Sequence, residues 1–168
     1  MKICVAGACG RMGRRILELA AATDDIEAGG AFDVAAFAGT ELIAGAESGR
    51  PQRVMVSADP AAELAKSDCL IDFTVAEASI ANARLAADAG KPSVIGTTGL
   101  NEAQVALLND CAARVPLVYA PNMSVGVNLL FKLTSEVAAI LGLDYNVEIC
   151  ETHHNQKKDS PSGTAVRL

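Results

Sequence analysis

Residues 2–13 read Lys-Ile-Cys-Val-Ala-Gly-Ala-Cys-Gly-Arg-Met-Gly, and this stretch decides the fold. Lys2–Ala6 is a short apolar run that stops at Gly7, the signature of a buried parallel strand. Gly7, Gly10 and Gly13 follow at Gly-x-x-Gly-x-x-Gly spacing and open a helix predicted over Arg11–Ala22. A diphosphate held at a strand–helix turn needs backbone N–H groups aimed at it and no Cβ in the way. Gly7 permits the sharp turn, Gly10 lets the main chain approach the phosphates, and Gly13 lets the helix pack close to the strand. Arg11, at the helix start, adds positive charge toward a phosphate. Met12, Ile16, Leu19 and Ala20 are spaced to form one apolar helix face.

Outward from this turn, strand and helix alternate. Strands are predicted over Ile26–Phe32, Val54–Val56, Cys69–Phe73, Ser93–Ile95 and Leu117–Tyr119. Between them, helices are predicted over Pro60–Ala65 and Ala76–Ala89, the latter stopped by Gly90 and Pro92. A further helix is capped by Asn101, runs to about Ala113, and points Val105, Leu108 and Ala112 inward. Residues 37–50, rich in Gly, Ala, Ser and Thr, read as a long loop. Ser124 starts a long helix to about Leu141, Tyr145–Glu151 reads as a strand, and Ser162 as the cap of a last helix. The alternation predicts an α/β fold, a Rossmann-like doubly wound parallel sheet. It occupies residues 1–122, and residues 123–168, a long helix, a strand and a last helix, begin a second, α+β domain.

Asp33 stands 20 residues beyond Gly13, where a carboxylate is expected on an adenine ribose. Val34 follows it, with no arginine alongside. A carboxylate accepts hydrogen bonds from ribose hydroxyls and repels a 2′-phosphate, so NADH is favoured over NADPH, a preference that Arg11 softens. Gly96-Thr97-Thr98-Gly99 lies at the C-terminal end of another strand, where ligands sit in such sheets. Its small residues suit a flat ring lying against backbone, and equally suit an ordinary loop. No Gly-Lys-Ser/Thr follows the first glycines, which argues against a nucleoside triphosphatase.

Composition narrows the field. Of 168 residues, 51% are hydrophobic and 20% charged, which excludes disorder. The net charge of −6 argues against a broadly basic nucleic-acid-binding surface, and 4% aromatic content against a base-stacking platform. No apolar run approaches the roughly 20 residues of a membrane span, so no membrane partner is expected. The N-terminus enters the glycine turn too early for a secretory signal. Five cysteines, an odd number with no Cys-x-x-Cys, argue against a disulfide framework or structural zinc. They fit a reducing, cytoplasmic compartment.

Both histidines lie near the end, in Glu151-Thr152-His153-His154-Asn155-Gln156-Lys157-Lys158-Asp159-Ser160-Pro161-Ser162-Gly163-Thr164. Adjacent His153 and His154 point to opposite sides of an extended segment, which is poor geometry for one shared metal, and no metal is expected. A lysine ammonium and the N–H groups opening a helix at Ser162, Gly163 and Thr164 suit a carboxylate, and histidine suits a general acid. A solvated polar loop with a capping serine has the same composition.

Five motifs in order carry a resemblance: Gly7–Gly13, Ile71-Asp72-Phe73-Thr74, Gly96–Gly99, Ala120-Pro121-Asn122-Met123-Ser124-Val125-Gly126-Val127-Asn128, and Glu151–His154 through Pro161-Ser162-Gly163-Thr164-Ala165. Together they resemble the 4-hydroxy-tetrahydrodipicolinate reductases, also called dihydrodipicolinate reductases, of the diaminopimelate route to lysine. The resemblance implies hydride transfer from NADH or NADPH to a cyclic imine-type dicarboxylate, giving tetrahydrodipicolinate. It implies that His153 is the acid and that Lys157 binds or polarises the substrate. It assigns substrate contacts to His154, Ser162, Gly163 and Thr164. It assigns cofactor contacts to Gly7, Arg11, Met12, Asp33, Phe73, Gly96, Thr97, Thr98, Ala120, Pro121, Asn122 and Met123. Family members carry considerably more chain beyond this last motif, completing a substrate domain that makes a homotetramer. A truncated chain is therefore expected here, with cofactor binding surviving better than catalysis and tetramer formation in doubt.

Overall fold

A computed structural model of the chain describes residues 1–46, 49–153, 155 and 160–168. The chain divides into two compact units, Met1–Tyr119 and Ala120–Leu168, three residues ahead of the boundary read from the sequence.

The first unit is built on a five-stranded, all-parallel sheet. Its strands are β1 (Lys2–Ala6), β2 (Glu27–Phe32), β5 (Cys69–Asp72), β6 (Ser93–Ile95) and β7 (Leu117–Tyr119). The order is β2-β1-β5-β6-β7, so the chain leaves β1 to one side, then returns to pair on the other. That reversal opens a crevice at the C-terminal ends of β1 and β5. Helix α1 (Arg11–Ala22) follows β1, α2 (Pro60–Ala65) precedes β5, α3 (Ala76–Asp88) joins β5 to β6, and α4 (Glu102–Ala112) joins β6 to β7.

Alternation along β1 assigns the two faces. Ile3 and Val5 pack with Leu17, Ala20 and Ala21 of α1, while Cys4 and Ala6 pack with Leu64 of α2 and Ala86 of α3. Both faces are thus covered, as a parallel sheet requires. Local chemistry fixes the helix ends. Asp59 accepts from the Ala62 amide at 3.1 Å ahead of Pro60, and Asn101 and Gln104 form a reciprocal capping box on α4. At the C-terminal end of α2, the Lys91 ammonium donates to the carbonyls of Leu64, Ala65 and Ser67.

Residues 37–50 are not one loop. They contain strand β3 (Glu41–Ala44), which pairs antiparallel with β4 (Gln52–Met55). Leu42 and Ala44 are buried while Glu41 and Ile43 are exposed. This period-2 pattern spans only four residues among small ones, too few to stand out from sequence. Leu42, Ala44, Val54 and Val56 add to the core above α1.

The inner face of α1 also differs from expectation. It consists of Gly13, Leu17, Ala20 and Ala21, at i, i+4, i+7 and i+8, whereas Met12 and Leu19 are 47% and 48% exposed. Gly13 must face the strand it packs against, and that turns the helix. Likewise Cys111, not Ala112, is buried on α4 beside Leu108.

The second unit contains α5 (Val125–Leu141), capped by Ser124, and the short α6 (Gly163–Arg167), capped by Ser162. Tyr145–Glu151 forms no strand; no other strand lies beside it among the described residues, and a lone extended segment has no ladder to join. Tyr145, Val147 and Ile149 are exposed. Within the described residues, Val125–Asp144 is a 20-residue helical stretch of mean hydropathy 1.4, none of it buried. By length and composition it suffices for a membrane span, contrary to the reading from contiguous apolar runs. Lys132 and Glu136 interrupt it, paired at 3.7 Å one turn apart.

The inward placement of Leu17 has a measurable consequence. Leu17→Ala is expected to cost about 2–5 kcal/mol in urea denaturation, and Leu19→Ala to stay within about 0.5 kcal/mol.

Candidate functional site

The turn between β1 and α1 closes through backbone contact. Gly7 has φ +70°, and a Cβ there would lie 2.9 Å from the Phe73 carbonyl oxygen. At Gly13 a Cβ would lie 2.1 Å from the Gly7 carbonyl oxygen, an impossible approach. The Gly10 amide donates back to that carbonyl at 3.0 Å. Helix α1 begins at Gly10 with no side-chain cap and no acidic residue in its first turn. Among the described residues, its leading N–H groups and the positive end of its dipole thus meet no side-chain carboxylate. Arg11 and Met12 are exposed beside this mouth, and the Arg14 Nε donates to the Cys9 carbonyl at 2.9 Å, bracing the turn.

Asp33 closes the other side. One carboxylate oxygen accepts the Cys9 amide at 2.8 Å and the other the Val34 amide at 2.8 Å. The carboxylate is therefore held by backbone, and each oxygen keeps a further lone pair for an incoming hydroxyl. Burial, then the Asp33 charge, push the Cys9 thiol up, so it adds no second negative charge to an anion-binding turn.

Between these features lies a cleft of about 490 Å³. Gly7, Cys9, Gly10 and Asp33 line one side; Val34 and Phe37 line it from the loop after β2, and Phe73, Thr74, Val75 and Ala78 from the region after β5. A polar phosphate mouth joined to an apolar slot is the shape a nucleotide fits. A larger cavity, about 620 Å³, opens beside Met1, Asp24, Asp25, Ile26 and Glu27 at the opposite ends of β1 and β2. Its carboxylates are set against Arg50 and the N-terminal ammonium, and it lies at the strand ends away from the crevice, so position in the sheet rather than size selects the cleft.

Gly96 is needed for a different reason: a Cβ there would lie 2.2 Å from the Phe73 ring. The Gly96–Gly99 loop is thus fitted around Phe73. Thr97 is buried and Thr98 is exposed. Asp72, which sequence reasoning passed over, is fully buried and tied to this loop. The signal was present, since Asp72 ends an otherwise apolar strand, and carboxylates are almost never fully buried without a reason.

The second unit carries the terminal motif and the Ala120–Met123 segment. Asn122 organises it: its Oδ1 accepts the Ser124 amide at 2.9 Å, its carbonyl accepts from Asn128 Nδ2 at 2.9 Å, and its Nδ2 donates to Thr164 Oγ1 at 3.3 Å. Ala120 and Pro121 are half-buried and Met123 is exposed. The Glu151 carboxylate accepts from the Ser162 amide at 2.8 Å and from the Ser162 hydroxyl. His153 Nδ1 lies 3.6 Å from Glu151 Oε2. Sequence reasoning weighed Glu151 only as a metal partner and set that aside; the structure brings it, His153 and Ser162 together. His154 and Lys157 lie outside the described residues. Among the described residues no His, Cys, Asp and Glu group is arranged to hold a metal ion.

Fold and glycine turn together define a Rossmann-like α/β protein. Residues 1–123 match the family model for the N-terminus of dihydrodipicolinate reductase, and residues 126–168 the model for its C-terminus. The chain belongs to the dihydrodipicolinate reductase family. It is 46% identical to a 4-hydroxy-tetrahydrodipicolinate reductase of Desulfotalea psychrophila, covering 99% of this chain and 62% of that one. It is 47% identical to one of Anaeromyxobacter sp. (strain Fw109-5), covering 100% and 62%. The solved dipicolinate-bound dihydrodipicolinate reductase from Paenisporosarcina sp. TG-14 superposes with a TM-score of 0.75 at 26% identity, covering 99% of this chain and 63% of that one. The chain thus spans just over three-fifths of the length of these relatives. The span-length apolar helix falls almost wholly within the C-terminal family match.

Gly13 offers a direct check of the turn. Gly13→Ala is expected to destabilise the protein by about 1–3 kcal/mol in chemical denaturation, because backbone must move. Gly126→Ala, in α5 with only Ser124 Oγ at 3.8 Å, is expected to be neutral or stabilising by up to about 1 kcal/mol.

Proposed function

We propose that this chain carries the NAD(P)H-dependent reduction of 4-hydroxy-tetrahydrodipicolinate to tetrahydrodipicolinate, the reaction for which its relatives are named. The observation that carries the reading is the uncapped start of α1 beside Asp33, whose carboxylate is held by the Cys9 and Val34 amides at the same cleft. A Cβ at Gly7 or Gly13 would collide with backbone and force the turn apart, so these glycines set the tight strand-to-helix turn that a dinucleotide diphosphate needs.

In this reading residues 1–122 hold the cofactor and residues 123–168 begin the substrate domain. Gly7, Gly10, Met12 and Gly13 bring backbone to the diphosphate, and Arg11 adds charge. Asp33 takes the adenosine ribose hydroxyls. Phe73, Gly96, Thr97 and Thr98, with Ala120, Pro121, Asn122 and Met123, serve the nicotinamide half. When bound, the reduced nicotinamide supplies a hydride. The overall change also consumes a proton and releases the 4-hydroxyl as water. His153 donates that proton, and Lys157 and His154 hold the dicarboxylate together with Ser162, Gly163 and Thr164. Glu151, bound to Ser162 and 3.6 Å from the imidazole, orients both. The compartment is cytoplasmic.

A second reading is favoured by coverage of only 62% of the relatives: a dinucleotide-binding piece without turnover. Steady-state reduction of freshly made substrate, with NADH fluorescence titration of the same preparation, separates the two. Turnover supports the reductase, binding alone supports the second reading, and neither removes both. In an active preparation, His153→Ala is expected to lower kcat by about 10²–10⁴-fold while the Kd for NADH stays within about twofold. Unchanged turnover takes the acid role from His153.

Asp33 sets the cofactor preference. Its fixed negative charge is expected to make NADH bind about tenfold more tightly than NADPH, after solvent screening. Asp33→Asn, titrated with both cofactors, should narrow that ratio; an unchanged ratio places the discrimination elsewhere.

A further inference from the structure

We propose that Asp72 is a positioning residue for the dinucleotide: its buried carboxylate locks the loop after β5 to the loop after β6 and so fixes one wall of the cleft. The inference rests on the cofactor reading above.

Asp72 is 0% exposed at the C-terminal end of β5, in the crevice where the strand order reverses. Its Oδ1 accepts the Thr74 amide at 3.0 Å, the Thr74 hydroxyl at 2.8 Å and the Thr97 hydroxyl at 2.9 Å. Its Oδ2 accepts Asn82 Nδ2 at 2.7 Å. The Thr97 hydroxyl also accepts the Thr74 amide at 3.0 Å, closing a small ring of bonds. The Gly96 amide donates to the Asp72 carbonyl at 2.9 Å. One residue thereby fixes Thr74, Thr97, Gly96 and the α3 residue Asn82.

A buried carboxylate is costly, and apolar packing would serve stability alone as well. What the network adds is placement. Phe73 lies between Asp72 and Thr74, its carbonyl against Gly7 and its ring against Gly96. Phe73, Thr74 and Asn82 all line the cleft, whereas Asp72 lies behind them. Holding both neighbours of Phe73 and the loop its ring touches leaves that wall one arrangement. Satisfied polar networks specify geometry in this way.

The test uses the 168-residue chain, with NADH affinity read by fluorescence titration and thermal stability measured on the same samples. Asp72→Ala removes every acceptor of the network and is expected to raise the NADH Kd about tenfold. Asp72→Asn keeps an acceptor for the Thr74 amide and the two threonine hydroxyls, and the Asn82 amide turns over to accept from the new NH2, so its Kd is expected to stay within about threefold of the starting chain. A lowered Tm with an unchanged Kd in Asp72→Ala overturns the proposal, as does a Kd in Asp72→Asn no tighter than in Asp72→Ala. If Asp72→Ala does not fold, Asp72→Ser takes its place, with a Kd raised at least about threefold supporting the proposal and an unchanged Kd overturning it. Absence of NADH binding by the unsubstituted chain overturns the cofactor reading and this inference together.

Discussion

The approach of α1 to the Gly7 carbonyl, so close that a Cβ at Gly13 would stand 2.1 Å from the oxygen, is the contact on which the rest of the structure depends. It chooses which face of α1 meets the sheet, and therefore why Leu17 is buried and Leu19 is not. It also brings the helix start, with its uncapped amides, to the C-terminal end of β1, beside the loop after β5. Any side chain at position 13 separates helix from strand and widens the turn between β1 and α1.

Two carboxylates then divide the work at this end of the sheet. Asp33 stands at the cleft, holds the glycine turn through the Cys9 amide, and keeps acceptor capacity toward the cleft. Asp72 stands behind the wall, fully buried, with hydrogen bonds spent on the protein's own donors. Similar chemistry in the two environments leaves acceptor capacity open at Asp33 and spends it within the protein at Asp72, which is the basis for the recognition proposed for the one and the placement proposed for the other. In the second unit Glu151 joins Ser162 and His153, so the terminal motif also has a carboxylate at its centre.

Much of this was legible in the sequence because it rests on backbone rules. The Gly7–Gly13 turn, the Cys69–Asp72 strand and the Asn101 capping box follow from steric and hydrogen-bonding preferences that act within a few residues. What escaped reading depends on partners distant in the chain. The β3–β4 pair became visible only through packing on α1, and the Asp72 network only when Thr97 and Asn82 were brought beside it. Tyr145–Glu151 has the composition of a strand but no neighbour among the described residues, and composition alone does not make a ladder. The long helix after Ser124 was legible, but its span-like mean hydropathy was not, because Lys132 and Glu136 break the run of apolar residues without lowering that mean enough.

The central claim is that a dinucleotide diphosphate sits on the amides that open α1, those of Arg11, Met12 and Gly13, because the Gly7, Ala8, Cys9 and Gly10 amides already donate within the turn. Amide chemical shifts recorded during titration of the chain with NADH test it most directly. The account predicts the largest shifts at Arg11, Met12 and Gly13, with Val34 following as Asp33 takes the ribose. Saturable shifts centred away from this turn, or none at all, would contradict it.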